Sequence, residues 1–99
     1  MGTEYDDHDD ILAAAAAGDV DEVAAVLSMD NRLTRATDAR GRAPLHLAAL
    51  HGHEDVVALL LHNNAAPDAR DADGRTPLAL AEGAGHTTVA ARLRAGGAR

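Results

Sequence analysis

The 99-residue sequence contains no cysteine, lysine, phenylalanine or tryptophan, and Tyr5 is its single tyrosine. The absence of cysteine excludes disulfide bonds, cysteine-ligated zinc and thiol catalysis, and it is typical of a protein in a reducing compartment. Alanine, in contrast, occupies 24 positions. Because bulky aromatic side chains normally supply much of the buried area, a single globular core of this composition would be thin.

Negative charge is concentrated in the first third of the chain. Sixteen acidic residues against nine arginines give a net charge of −7, and a basic surface for nucleic-acid phosphates is therefore not expected. Residues 1–37 hold nine acids and two arginines, whereas residues 38–99 hold seven of each. The acidic N-terminal part has two interpretations, which are a solvated polar cap and an arm that binds a basic partner.

The beginning of the chain carries no targeting pattern. Acidic residues precede the apolar run Ile11–Ala17, whereas an export signal begins with positive residues. That run has seven residues, and a helix that spans a bilayer needs about 20. Asp6 stands where N-myristoylation requires Ser or Thr. We therefore expect a cytoplasmic chain that does not contact membranes.

A repeat of 33 residues organises the rest of the sequence. Segment 38–53 reads DARGRAPLHLAALHGH, and segment 71–86 reads DADGRTPLALAEGAGH. A less complete copy, ILAAAAAGDVDEVAAVL at 11–27, precedes them at an offset of 34, and the additional residue falls within 28–37. Internal repetition of this kind predicts stacked units that share one continuous core.

Each unit predicts a turn followed by two helices. The Asp-x-x-Gly-Arg segment is typical of a turn in which Gly41 and Gly74 adopt positive φ, and the proline after it suits the first position of a helix. A second helix is predicted over about Glu54–His62, and Asn64 or Gly97 would close the second helices in a left-handed conformation. In the helix predicted over about 54–62, the buried positions are expected to be Val56, Val57, Leu59, Leu60 and Leu61.

The unit resembles an ankyrin repeat. The segments APLHLAA at 43–49 and TPLALA at 76–81 are similar to the Thr-Pro-Leu-His-x-Ala motif of that family. The resemblance implies an all-α solenoid of antiparallel helix pairs with short β-turn or hairpin loops. It indicates an acidic tail at 1–9 and one domain at 10–98, with repeats at about 10–37, 38–70 and 71–98.

Departures from the family pattern predict local differences. Ala43 replaces the Thr and Ala79 replaces the His of the motif, which removes side-chain hydrogen bonds where the loop meets the helix. The first unit has neither Gly nor Pro before its helix, and Arg92 and Arg94 stand where the middle unit has leucines. A terminal repeat requires a polar outer face. We therefore expect a complete small protein that is capped at both ends.

The sequence offers no catalytic constellation. Ser28, the one serine, lacks a Gly-x-Ser-x-Gly context. Adjacent carboxylates on a helix point about 100° apart and do not converge on a substrate. Partial matches to a dinucleotide loop and to a calcium loop fail at their remaining positions. We expect neither enzymatic activity nor a cofactor.

The six histidines leave a weaker alternative open. Structural roles are expected for three of them, which are His46, His53 and His86. His8, His51 and His62 have no such assignment and could contribute to a weak zinc site, although no third ligand is fixed beside them. We expect no structural metal.

The resemblance also implies a binding surface, since ankyrin proteins usually hold partners on the turn tips and the exposed side of the first helices. In this sequence the turn residues are Ala39, Arg40, Arg42, Ala72, Asp73 and Arg75. The helix-end residues are Leu50, His51, Gly83 and Ala84, and Ala16 and Ala17 extend the surface into the first unit. Six of these residues, which we call the partner surface, are the candidates for binding: Arg40, Arg42, Leu50, His51, Asp73 and Arg75.

Two features of the partner surface have alternative interpretations. Leu50 with His51 is a candidate anchor, or Leu50 is an isolated exposed leucine of the kind that needs no partner. The three arginines form a basic cluster for a partner, or Arg42 and Arg75 pair with turn aspartates such as Asp71 and Asp73.

The sequence thus predicts a non-enzymatic interaction module, an adaptor, regulator or inhibitor that binds another cytoplasmic protein. We expect a monomer, and the alternative is a self-associating homodimer. The bias toward alanine, arginine and glycine is typical of a GC-rich bacterial genome. Neither nucleic acid nor a membrane is an expected partner.

Overall fold

The computed structural model describes residues 7–97, with side chains from Asp10 onward. This part of the chain forms six α-helices and one 3₁₀ helix, and it contains no strand. The α-helices are α1 (Asp7–Ala17), α2 (Val20–Met29), α3 (Pro44–Leu50), α4 (Glu54–His62), α5 (Pro77–Gly83) and α6 (Thr87–Ala95). The 3₁₀ helix, Asn31–Arg35, follows α2 and lies in the segment to which the sequence assigned the additional residue of the first unit.

The helices form two rows. The first helices of the units, α1, α3 and α5, pack against one another, and the second helices, α2, α4 and α6, form the other row. Links of two or three residues join the two helices of each unit, so that they run antiparallel. The stack measures 43 × 25 × 19 Å. The all-α solenoid expected from the resemblance is confirmed.

The first helices are too short to be stable alone. α3 and α5 have seven residues each, and isolated helices shorter than about 12 residues are marginal in water. Pro44 and Pro77 begin them and are buried. Burial of Leu45 and Leu78 against the neighbouring units supplies the stabilisation that the helical propensity of so few residues does not.

The two substitutions at the motif have different consequences. Thr76 caps α5 because its Oγ1 accepts a hydrogen bond of 3.1 Å from the N–H of Ala79, whereas Ala43 has no such oxygen. In α3 a different hydrogen bond is present, since the Nδ1 of the buried His46 accepts a 3.1 Å hydrogen bond from the N–H of Ala43. Each junction therefore keeps one of the two side-chain hydrogen bonds that the family motif implies.

Histidines also connect successive units. His53 and His86 precede α4 and α6, as expected, but their side chains do not cap those helices. The Nε2 of His53 donates to the carbonyl of Ala16 at 2.9 Å, and the Nε2 of His86 donates to the carbonyl of Leu50 at 3.1 Å. Each ring thus satisfies a carbonyl at the C-terminal end of the preceding first helix.

The core is continuous through all three units and consists of aliphatic side chains. Val56, Val57 and Leu60 are fully buried, as predicted, but Leu59 and Leu61 are only half-buried. The prediction that all five positions are buried was therefore wrong for two of them, whose side chains pack against the core but keep part of their surface exposed.

The two ends of the stack are formed by α1 and α2 of the first unit and by α5 and α6 of the third. α1 begins at Asp7, inside the proposed 1–9 tail, of which residues 1–6 lie outside the described part. At the other end Arg92 and Arg94 are exposed, and their guanidinium groups donate to Glu54 and Glu82 respectively. No helix within 7–97 has the length and apolar character needed to span a membrane.

Candidate partner-binding surface

Each turn tip is built around one aspartate. In the second unit, Oδ1 of Asp38 accepts hydrogen bonds of 2.9 Å from the N–H groups of Arg40 and Arg42. The N–H of Asp38 donates to the carbonyl of Arg42, and the N–H of Gly41 donates to the carbonyl of Asp38, both at 3.0 Å. Gly41 has a φ of 73°, as predicted for this position. Asp38 therefore fixes the whole turn.

The third unit repeats this arrangement. Oδ1 of Asp71 accepts 2.9 Å hydrogen bonds from the N–H groups of Asp73 and Arg75. Gly74, at a φ of 79°, donates to the carbonyl of Asp71 at 2.9 Å. The Asp71 side chain is 1% exposed, whereas that of Asp38 is 23% exposed. The turn chemistry expected from the sequence is thus present in both units.

Hydrogen bonding lowers the pKa of both aspartates. For Asp71 the N–H of Arg75 is the main cause, and it outweighs the desolvation that opposes it. For Asp38 burial on its own raises the pKa, but the N–H and guanidinium of Arg42 and the N–H of Arg40 together bring it below its ordinary value. Both turns are therefore most stable when these carboxylates are ionised.

Two contacts attach the third turn to the second unit. The N–H of Ala72 donates to the carbonyl of Arg40 at 2.9 Å. The Nε2 of His46 donates to the carbonyl of Arg75 at 2.9 Å, which ties the third turn to α3. The structural role expected for His46 is confirmed.

The arginines of the partner surface do not act as one basic cluster. Arg42 is half-buried and pairs with Asp38 at 2.9 Å. Arg75 pairs with Asp73 at 2.9 Å and lies 3.5 Å from Asp71. The pairing interpretation therefore holds for both arginines, and the turn aspartate that pairs with Arg42 is Asp38 of its own turn.

Arg40 differs from these two arginines, because it is exposed and forms no ion pair within the described part of the chain. Asp73 is also exposed, with 68% of its side chain accessible.

The other end of α3 carries the proposed anchor. Leu50 is half-buried rather than exposed, and its carbonyl accepts a hydrogen bond from the Nε2 of His86. His51 is exposed, and its ring centroid lies 6.1 Å from that of His53. Ala17, Ala39, Ala72, Gly83 and Ala84 are exposed, and Ala16 is half-buried.

The histidines considered for zinc are not assembled into a site by the described side chains. His62 is exposed on α4, and the side chain of His8 lies outside the described part. Among the described residues, no three His, Cys, Asp or Glu side chains are placed to hold a metal ion together.

The structure contains a pocket that the sequence did not predict. A pocket of about 300 Å³ lies between the segments that follow α2 and α4 and the base of the second turn. We call it the loop pocket, and its walls include Thr34, Arg35, Thr37, Leu45, Ala65 and Arg70. Its residues come from three separate segments with no shared motif, so nothing in the periodic pattern indicated it.

The stacked helix pairs, the aspartate-centred turns and the histidines that join successive units define a helical repeat protein. The family model described as ankyrin repeats (3 copies) matches residues 6–99, and the chain belongs to this family. The expectation drawn from the motif is therefore confirmed. Ankyrin repeats are generally protein–protein interaction modules. No match was found among curated proteins.

Proposed function

We propose that this chain is a non-enzymatic adaptor, regulator or inhibitor that binds a cytoplasmic protein through the partner surface. The observation that carries the proposal is the contrast between a fixed backbone and exposed side chains in the turns. Arg40 and Asp73 are exposed, yet hydrogen bonds to Asp38 and Asp71 hold their N–H groups. A preorganised backbone lowers the entropy lost when such side chains bind a partner.

The same reasoning extends to α3. His51 is exposed at a position where the hydrogen bond between His86 and the Leu50 carbonyl fixes the end of the helix. An exposed imidazole beside a half-buried leucine offers a partner both a polar and an apolar contact. Leu50 contributes less area than an exposed leucine would, so we assign the polar side chains the larger share of the specificity.

Affinity capture with charge-reversed variants tests this proposal. The test variant is Arg40→Glu/His51→Glu, which changes two exposed side chains and no described ion pair. The control is Arg32→Glu/His62→Glu, which makes the same changes at exposed positions of the 3₁₀ helix and α4 and removes only the surface ion pair between Arg32 and Asp30. Proteins held by the wild type are identified by mass spectrometry, purified and titrated directly against all three chains.

We expect a partner that binds the wild type and the control with equal affinity and the test variant at least about tenfold more weakly, which corresponds to about 1.4 kcal/mol. Circular dichroism establishes that both variants remain helical. Equal binding to the test variant would contradict the proposed surface. If no partner is captured and light scattering gives twice the 10.2 kDa monomer mass, the self-associating alternative replaces the proposal.

A further inference from the structure

The loop pocket combines positive charge with an absence of acidic groups. Arg35 and Arg70 both line it, and no Asp or Glu is among its lining residues. Within residues 10–97 neither of these two arginines forms an ion pair, whereas five others do: Arg32, Arg42, Arg75, Arg92 and Arg94. In a chain with a net charge of −7, two uncompensated guanidinium groups on one pocket form a localised site for an anion.

Other walls of the pocket define the shape of that anion. Thr34 is 5% exposed and lines the pocket, and its hydroxyl makes no hydrogen bond within the described part of the chain. This hydroxyl is not one of the fully buried, unpartnered side-chain atoms of the described residues, so it keeps accessible surface and can form a hydrogen bond with a ligand. Leu45 and Ala65, both buried, add apolar wall. The pocket therefore fits a planar anion on a short apolar stem.

We propose that the loop pocket binds a glutamate side chain of the protein partner, with the carboxylate held by Arg35 and Arg70 and the methylene groups against Leu45 and Ala65. The proposal rests on the proposed function, since the occupant is part of the partner. Continuity with the partner surface supports it. Gly41 and Ala43 belong both to the pocket wall and to the turn that carries Arg40, so a chain on the turn tips passes the pocket.

A peptide titration tests the site without the natural partner. The probes are acetyl-Ala-Glu-Ala-amide, its glutamine counterpart and inorganic phosphate, each added to the ¹⁵N-labelled full chain and followed by amide chemical shifts. We expect the glutamate peptide to shift the amides of Gly41, Ala65 and Ala66. The glutamine peptide should bind about tenfold more weakly, because a charge-assisted hydrogen bond is roughly twice as strong as a neutral one. Added salt should weaken the binding of the glutamate peptide but not that of the glutamine peptide.

Variants identify the residues responsible. Arg35→Gln/Arg70→Gln should abolish the shifts, and Thr34→Val, which keeps the side-chain shape, should reduce the affinity. Arg32→Gln is the control, since it removes an exposed arginine that belongs neither to the pocket wall nor to the partner surface, and it should leave the affinity unchanged. Dispersed amide spectra for every variant exclude unfolding as the cause of a loss.

Three results would overturn the inference. They are equal affinity for the two peptides, unchanged binding to Arg35→Gln/Arg70→Gln, and no shift at the highest soluble peptide concentration. Phosphate binding at the pocket without peptide binding would also overturn it, because the site would then take a free anion. A negative peptide result together with a positive affinity capture removes the loop pocket and leaves the proposed function in place. If the glutamate peptide binds as expected but the captured partner binds Arg40→Glu/His51→Glu as tightly as the wild type, the loop pocket is supported and the rest of the partner surface is removed.

Discussion

Two glycines with the same backbone conformation should respond very differently to substitution by alanine. Gly41 and Gly74 both lie in the left-handed region, at φ values of 73° and 79°. An alanine costs about 1–2 kcal/mol there, and this cost is common to both positions. The surroundings differ, because the turn of the second unit has a neighbour beyond it and the turn of the third unit has none in the described part of the chain.

The magnitude follows from what an added Cβ would meet. At Gly41 it would lie 2.9 Å from the backbone nitrogen of Ala72, whereas at Gly74 it would meet nothing within 4 Å. Separation of the turns would weaken the hydrogen bond between the Ala72 N–H and the Arg40 carbonyl, worth about 0.5–1.5 kcal/mol. Strain from overpacking adds about 1–3 kcal/mol. Gly41→Ala should therefore destabilise the chain by about 2 kcal/mol more than Gly74→Ala.

Urea denaturation followed by circular dichroism measures both free energies of unfolding. Because both variants make the same chemical change at the same conformation, their difference isolates the contact between the turns. A difference below about 0.5 kcal/mol, the limit within which independent surface changes usually fall, would refute the argument that the neighbouring turn packs directly against Gly41.

Three further predictions concern the core, the turns and the contacts between units. Leu60→Ala, at a fully buried position, should lower the free energy of unfolding by about 2–4 kcal/mol, and a urea melt showing a loss under about 1 kcal/mol would contradict the assigned core. Because folding lowers the pKa of Asp38 and Asp71, the stability that they contribute is present above about pH 4 and is lost as the pH falls through their folded-state values. Melts at a series of pH values should show this loss, and Asp71→Asn should reduce its steepness. His86→Ala removes the donor to the Leu50 carbonyl and should destabilise the chain by about 1–3 kcal/mol, and unchanged exchange of the amides in α6 would contradict this coupling.

Periodicity was sufficient to predict the local structure. The second helix of the middle unit was predicted over about Glu54–His62, which are the observed bounds of α4. Positive φ values were predicted for Gly41, Gly74, Asn64 and Gly97, and all four are observed. These features depend on neighbours within a few residues, and the steric freedom of glycine and asparagine at helix and turn ends decides them.

Contacts between units were beyond the reach of the pattern. The hydrogen bond between His53 and the Ala16 carbonyl joins residues 37 positions apart. Leu50 was expected to be exposed, but it is half-buried at the end of α3, a helix that packs against both α1 and α5. Each of these outcomes is set by how adjacent units are stacked, which the sequence of one unit does not encode locally.

The assignment of partner binding to the turn tips and the first helices is tested most directly by hydrogen exchange. The measurement compares amide exchange in the chain alone and in complex with its captured, purified partner. We predict added protection at 38–43 and 71–76 and at the end of α3, with no change in α4 and α6. Protection confined to α4 and α6, or to the acidic residues before α1, would contradict the account.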